Sequence, residues 1–240
     1  METQNTCSDE LSIVENMINL QKNTIKLENP NVKSIFDDPF IHIEKNNIDK
    51  NLCSKIINYI HNDNRIDRYD NQIRYNERVS VGGQKDLNSV VVSRYLYSIL
   101  EISRFKDTFF KEVENILFFK LRNSLKTYFE KLSVFNIKYN NFIFDSGFRI
   151  QIYKKGTGKI SWHNDSGLIT SYSSRKISFI WYLNDIEDGG ETTFLNGKIT
   201  PETGTLLLFP STWTYVHRGE IPISSDKYII IGWLFTLNNE

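Results

Sequence analysis

The stretch Tyr153–Asp165, YKKGTGKISWHND, ends in His-x-Asp, and a second histidine, His217, follows in YVHRGE. Lys227 then opens the apolar run KYIIIGWLF. His163 and Asp165 are two residues apart, a spacing that aims both side chains to one side of an extended segment. An antiparallel barrel can return His217 beside them. Two neutral imidazoles and one carboxylate suit a mononuclear Fe(II) site with open positions, and they also suit zinc or manganese. A lone His-x-Asp is weak, because surface His and Asp are common; the residues around it decide its weight.

The pattern of the surrounding chain is β. In FRIQIY, Phe148, Ile150 and Ile152 fall on one face and Arg149, Gln151 and Tyr153 on the other. KISFIWYL groups Ser178, Ile180 and Tyr182, and TTF, TLLLF and KYIIIGWLF read as further short strands. Turn signals separate them at Asp188-Gly189-Gly190, Asn196-Gly197, Pro201 to Gly204 and Pro210-Ser211. Short antiparallel strands at near-regular spacing predict a sandwich or barrel. Alternation puts Lys227 on the face of Ile229, Ile231 and Trp233. Burying an ammonium there costs several kcal/mol unless a carboxylate meets it. The alternative places Lys227 at the strand mouth with its amine in water.

The N-terminal half reads differently. Residues 1–35 form a polar extension in which LSIVENMINLQ carries an amphipathic helical pattern. Phe40 to Ile43 reads as a short strand. A helix follows through NIDKNLCSKIINYIHND, capped by Asp49 and striped by Leu52, Ile56, Ile57 and Ile60. His61 sits in its last turn, well placed against the helix dipole, and neither His61 nor His42 has ligand partners nearby in sequence. Residues 62–90 read as a long polar loop, the kind that serves as a lid or binding loop. Residues 88–133 read as helical, with Phe109, Phe110, Phe118, Phe119, Tyr128 and Phe129 as core against a sheet.

The 240 residues carry a formal net charge of zero. A large non-specific nucleic-acid footprint is not expected from that balance. Cys7 and Cys53 are the two cysteines, without CxxC spacing, which excludes a zinc ribbon and favours a reducing, cytoplasmic setting. No secretory signal is read at METQNTCSDE. The apolar runs fall far short of the ~20 residues a membrane span needs.

Together these residues carry a resemblance. From Phe148 to Phe235, the pieces Y-x9-HND, YLND, GGET, PETGTLLLFP, HRG and the lysine that follows resemble the 2-oxoglutarate- and Fe(II)-dependent dioxygenases of the prolyl 4-hydroxylase-like branch. FDDPFIHIEKNNIDKNLCSKIINYI, from Phe36, resembles the start of that domain more loosely, and residues 62–135 show no match. The loop Ser166–Ser174 departs from anything attributable to a peptide-proline substrate.

The resemblance implies an α+β fold: a double-stranded β-helix (jelly-roll) core over 138–240, with a mainly helical part over 36–137 packed on it. It implies His163, Asp165 and His217 as catalytic iron ligands. Lys227 would pair with the far carboxylate of 2-oxoglutarate, Tyr153 and Tyr182 would hydrogen-bond the co-substrate, and Trp233 would close its pocket. The implied reaction hydroxylates an aliphatic C–H, with peptidyl proline as the family default. It consumes O2 and 2-oxoglutarate, yields succinate and CO2, and has ascorbate as candidate reductant. Asp165 favours hydroxylation over halogenation, since a halide takes iron where that carboxylate is missing.

Alternatives remain open at this point. The same chemistry could act on a free amino acid or other small metabolite, a lysine side chain or a nucleobase methyl. The nucleobase version has the least support. A silent jelly-roll binding module is a second class, and a zinc or manganese cupin a third.

Overall fold

The computed structural model describes residues 34–62, 95–96, 98–102, 108–137, 143–170 and 173–237. The expected N-terminal amphipathic helix and nearly all of the expected 62–90 loop lie outside these residues. Helix α1 spans Lys50–Asn62 and α2 spans Thr108–Leu132. Asp49 caps α1 as expected: its Oδ1 accepts from the backbone N–H of Asn51 (2.8 Å) and Leu52 (3.3 Å). Cys53, Ile56 and Ile60 form the buried stripe of α1. Phe110, Val113, Leu117, Leu121, Leu125, Tyr128 and Leu132 form that of α2, at three- and four-residue steps. Phe118 and Phe119 were expected in this core, but they point outward and are 52% and 62% exposed. The helical period that buries Leu117 and Leu121 rotates its neighbours away. Among the described residues no helix is long and apolar enough to cross a membrane.

Among the described residues thirteen strands form two antiparallel sheets. They are β1 (His42–Glu44), β2 (Tyr95–Leu96), β3 (Ser98–Glu101), β4 (Ile143–Asp145), β5 (Arg149–Tyr153), β6 (Lys159–His163), β7 (Leu168–Thr170), β8 (Ser173–Tyr182), β9 (Thr192–Phe194), β10 (Gly197–Ile199), β11 (Leu206–Pro210), β12 (His217–Gly219) and β13 (Lys227–Leu237). The larger sheet runs β1-β11-β8-β13-β5-β3, with β4 against β13 and β7 against β8. The smaller runs β10-β9-β12-β6-β2.

The helix expected over 88–133 is corrected at its start. Tyr95–Leu96 pairs with β6 and Ser98–Glu101 with β5. An apolar run such as YLYSILE fits either period, and pairing with open sheet edges decides it.

The larger sheet has two different faces. Phe148, Ile150, Phe179, Trp181, Leu208 and Ile230 share one core with α1 and α2. Ile180, Tyr182, Leu207, Phe209, Ile229, Ile231 and Trp233 face the other way and share a core with Phe194 and Ile199 of the smaller sheet. Full burial of each such side chain contributes about 1.5–3 kcal/mol. The period-two alternation of β5, β8 and β13 therefore builds two apolar layers from one sheet. The layer between the sheets also holds buried polar residues, among them Gln151, His217 and Lys227.

Candidate metal centre

His163 ends β6 and His217 begins β12, and the two are directly paired across the smaller sheet. This cross-strand register is what brings distant sequence positions together, with ring centroids 4.2 Å apart. Asp165 lies two residues past His163, where the chain leaves the strand. One ligand atom from each of the three residues falls within 4.8 Å of the others. His163 Nε2 is 3.7 Å from Asp165 Oδ1, and His217 Nε2 is 3.7 Å from Asp165 Oδ2.

The tautomers follow from the backbone. His163 Nδ1 lies 2.8 Å from the Ser161 carbonyl and His217 Nδ1 lies 3.1 Å from the Tyr215 carbonyl. A carbonyl only accepts, so each Nδ1 carries the proton and each Nε2 presents a lone pair toward Asp165. Burial against Phe194 and Phe209 pushes the His217 pKa well below the usual histidine range, and the nearby Asp165 carboxylate only partly offsets this. His217 is thus held neutral near pH 7. Ser178 Oγ donates to Asp165 Oδ2 at 2.6 Å and lies 2.9 Å from Ser211 Oγ, which fixes the carboxylate. Asp165 and His163 are 11% and 19% exposed, so access is from their side. Three donors of this chemistry, preset and converging, fit a divalent ion such as Fe(II).

Lys227 is 1% exposed, so its amine does not reach water. Its Nζ donates to the Gly190 carbonyl at 2.6 Å and stands 5.0 Å from the Tyr153 ring and 5.9 Å from the Tyr182 ring. Among the described residues no carboxylate is in ion-pair contact with it. Burial pushes its pKa down to about 7, against the raising effect of Glu191 and Glu220. Gly190 takes a left-handed φ of 71°, as does Gly189, where a Cβ would strike the Ile221 carbonyl. GG is therefore required by the turn that aims the Gly190 carbonyl at Lys227.

Tyr153 and Tyr182 share this interior, but each phenol donates inside the protein. Tyr153 Oη gives its proton to Gln151 Oε1 (2.7 Å), and Tyr182 Oη to Thr192 Oγ1 (2.8 Å). Burial pushes the Tyr182 pKa up, so it stays protonated. Trp233 packs under two guanidiniums, with Arg175 Cζ 3.7 Å and Arg149 Cζ 5.1 Å from its ring centroid.

His42 and His61 stay outside the site, as expected. His42 Nδ1 faces Lys131 Nζ at 3.4 Å, and His61 Nε2 lies 2.8 Å from Tyr228 Oη. Sequence reading missed Ser178 and Ser211 as supports of Asp165, and it missed Arg175. Ser178 was visible as a polar residue on the inner face of an apolar strand.

A family model, described as the 2OG-Fe(II) oxygenase superfamily, matches residues 148–235. That stretch is similar to the superfamily. It contains every residue of the triad together with Lys227 and Trp233. No curated protein sequence matches the chain.

Solved structures extend the likeness beyond the matched stretch, as a likeness of fold. A viral collagen prolyl hydroxylase from Paramecium Bursaria Chlorella virus-1, in complex with 2OG, has a TM-score of 0.58 at 18% identity, over 85% of this chain and 99% of that one. A prolyl hydroxylase from Trichoplax adhaerens, in complex with a hypoxia inducible factor peptide fragment, gives 0.55 at 18%, over 91% and 93%. A Pseudomonas putida prolyl-4-hydroxylase gives 0.50 at 14%, over 84% and 94%.

Proposed function

We propose that the protein is an Fe(II)- and 2-oxoglutarate-dependent dioxygenase that hydroxylates an aliphatic C–H. Peptidyl proline is the first substrate class to test, and succinate and CO2 are the co-products. The observation that carries this reading is the convergence of His163, Asp165 and His217, with both Nε2 lone pairs preset toward one point. In this reading the two sheets are the walls of a double-stranded β-helix. Residues 138–240 are its core, 36–137 its framework and 1–35 an extension. When bound, Fe(II) and 2-oxoglutarate together supply the oxidising power, using O2, with ascorbate as candidate reductant.

The chain's own residues do the rest. Nε2 of His163, Nε2 of His217 and the Asp165 carboxylate would hold the metal. Ser178 keeps Asp165 oriented. Lys227 supplies the cation for the far carboxylate of the co-substrate, a charge-assisted contact strengthened by burial. Pairing restores the Lys227 charge that burial disfavours. Tyr153 and Tyr182, with their protons already placed, wall the pocket and set its width, while Trp233 covers it and limits water. Cys53 is a buried free thiol with its pKa raised to about 12, inert and in keeping with a reducing, cytoplasmic setting.

The test is turnover. Purified protein with Fe(II), ascorbate, O2 and 2-oxoglutarate is given proline-containing peptides and free amino acids. Succinate equal to product carrying one added oxygen atom supports the proposal. Absence of succinate under all conditions, with the metal shown to be bound, contradicts it.

A further inference from the structure

Arg175 is a cation beside the triad whose hydrogen-bonding edge the metal and co-substrate reading leaves unused. Among the described residues its Nη1 reaches only the backbone carbonyl of Asp165, at 3.4 Å, and its buried Nε has no hydrogen-bond partner. No carboxylate among the described residues forms an ion pair with it. The guanidinium stands over the Trp233 ring, with Arg149 near the same ring, so a second positive charge stands nearby. Among the described residues, the Asp165 carboxylate is a negative charge that acts on it.

A guanidinium presents Nε and one terminal nitrogen as a parallel pair that matches the two oxygens of a carboxylate. Leaving such a buried donor unsatisfied is destabilising, so a ligand that fills it gains affinity. Close contact with the indole restrains the fork, which favours a bidentate partner. A divalent ion on Asp165 would offset the carboxylate that acts on Arg175 and leave the guanidinium available to a second anion.

We propose that Arg175, held by Trp233, is the recognition group for a carboxylate on the substrate, so that the enzyme acts on an anionic substrate rather than a neutral proline-rich segment. This rests on the oxygenase reading, in which Lys227 already serves the far carboxylate of the co-substrate. The carboxylate has two chemical sources: the α-carboxylate of a free or C-terminal amino acid, or an acidic side chain beside the target in a peptide.

The experiment uses full-length protein loaded with zinc as diamagnetic metal and saturated with 2-oxoglutarate, with arginine side chains labelled with nitrogen-15. The Nε–H signal of Arg175 is assigned by its absence in Arg175→Gln. Propionate is titrated against its neutral partner propionamide. The expected result is a saturable shift with propionate, at least about 10-fold weaker binding of propionamide, and loss of the propionate response in Arg175→Gln. The 2-oxoglutarate affinity of that variant should stay within about twofold of wild type, well under one charged hydrogen bond's worth.

Equal responses to acid and amide, or none to either, overturn the proposal. So does a large loss of 2-oxoglutarate affinity in Arg175→Gln, which would assign the guanidinium to the co-substrate. The pairs L-proline with L-prolinamide, and acetyl-Pro-Glu-amide with acetyl-Pro-Gln-amide, then separate the two sources. Preference for the acid in either pair identifies the source, and preference in neither contradicts the assignment to substrate. Failure of the metal and 2-oxoglutarate to bind at all is a separate result, read from the spectrum of the Fe(II) complex, and would sink the underlying oxygenase reading instead.

Discussion

Strand β13 has two faces that obey different rules. Tyr228, Ile230 and Leu234 lie under the helices in a layer built almost wholly from apolar side chains. Lys227, Ile229, Ile231 and Trp233 point between the sheets, where the same degree of burial includes an ammonium, two phenols and a buried glutamine. The first face maximises packing. The second accepts desolvation of charged and polar groups, a cost of several kcal/mol for an ion without a partner. A strand that spends stability on one face only is marking the face where ligands come.

The comparison breaks most sharply at the triad. Asp165→Ala or His217→Ala should lower iron affinity by at least about 100-fold, the upper range for losing even an outer support of a metal ligand. Turnover should vanish while cooperative melting persists; metal titration and calorimetry check both. On the helix side the effect should be the reverse. Trp181→Ala empties a fully buried site and frees Asn47 Oδ1, which accepts from the indole N–H at 2.7 Å. It should cost about 3–5 kcal/mol and lower Tm by roughly 10 °C, with the iron site intact in any protein that remains folded.

Lys227 tests the inner face by pH. Its folded pKa, about 7, lies below the ordinary 10.5. Between those values the unfolded chain binds the proton and the folded one does not. Stability should therefore rise with pH across this window, and the full penalty should be present below pH 7. Lys227→Met should flatten that rise in a melting series and be neutral or stabilising near pH 7. The same variant should weaken 2-oxoglutarate by about 10- to 100-fold, one charged contact. In wild type, binding should take up a proton above pH 7, so affinity should fall by up to about tenfold per pH unit there. The smallest effect is expected at Ser178→Ala, which frees one oxygen of Asp165. Metal affinity should drop by about tenfold with little change in Tm.

The inner face was legible in sequence where alternation met chemistry. Lys227 stood out because Ile229 and Ile231 flanked it at period two, and His163 with Asp165 because extended spacing aligned them. Convergence with His217 depended on strand register, a non-local property that no window of sequence carries. Arg175 and Ser211 escaped for the same reason: each is an ordinary polar residue until pairing sets it beside Trp233 or Ser178. Tyr95 to Glu101 misled because a short apolar run satisfies both periods, and only the open edges of β5 and β6 select the strand. Phe118 and Phe119 misled because composition suggested core where helix phase turned them outward.

The central claim is one site that binds Fe(II) and 2-oxoglutarate together. The direct measurement is the visible spectrum of the purified protein with Fe(II), recorded without oxygen as 2-oxoglutarate is added. A charge-transfer band should grow to saturation, be absent in His217→Ala, and need more 2-oxoglutarate in Lys227→Met. A folded protein that binds the metal yet shows no band at any 2-oxoglutarate concentration would contradict the account.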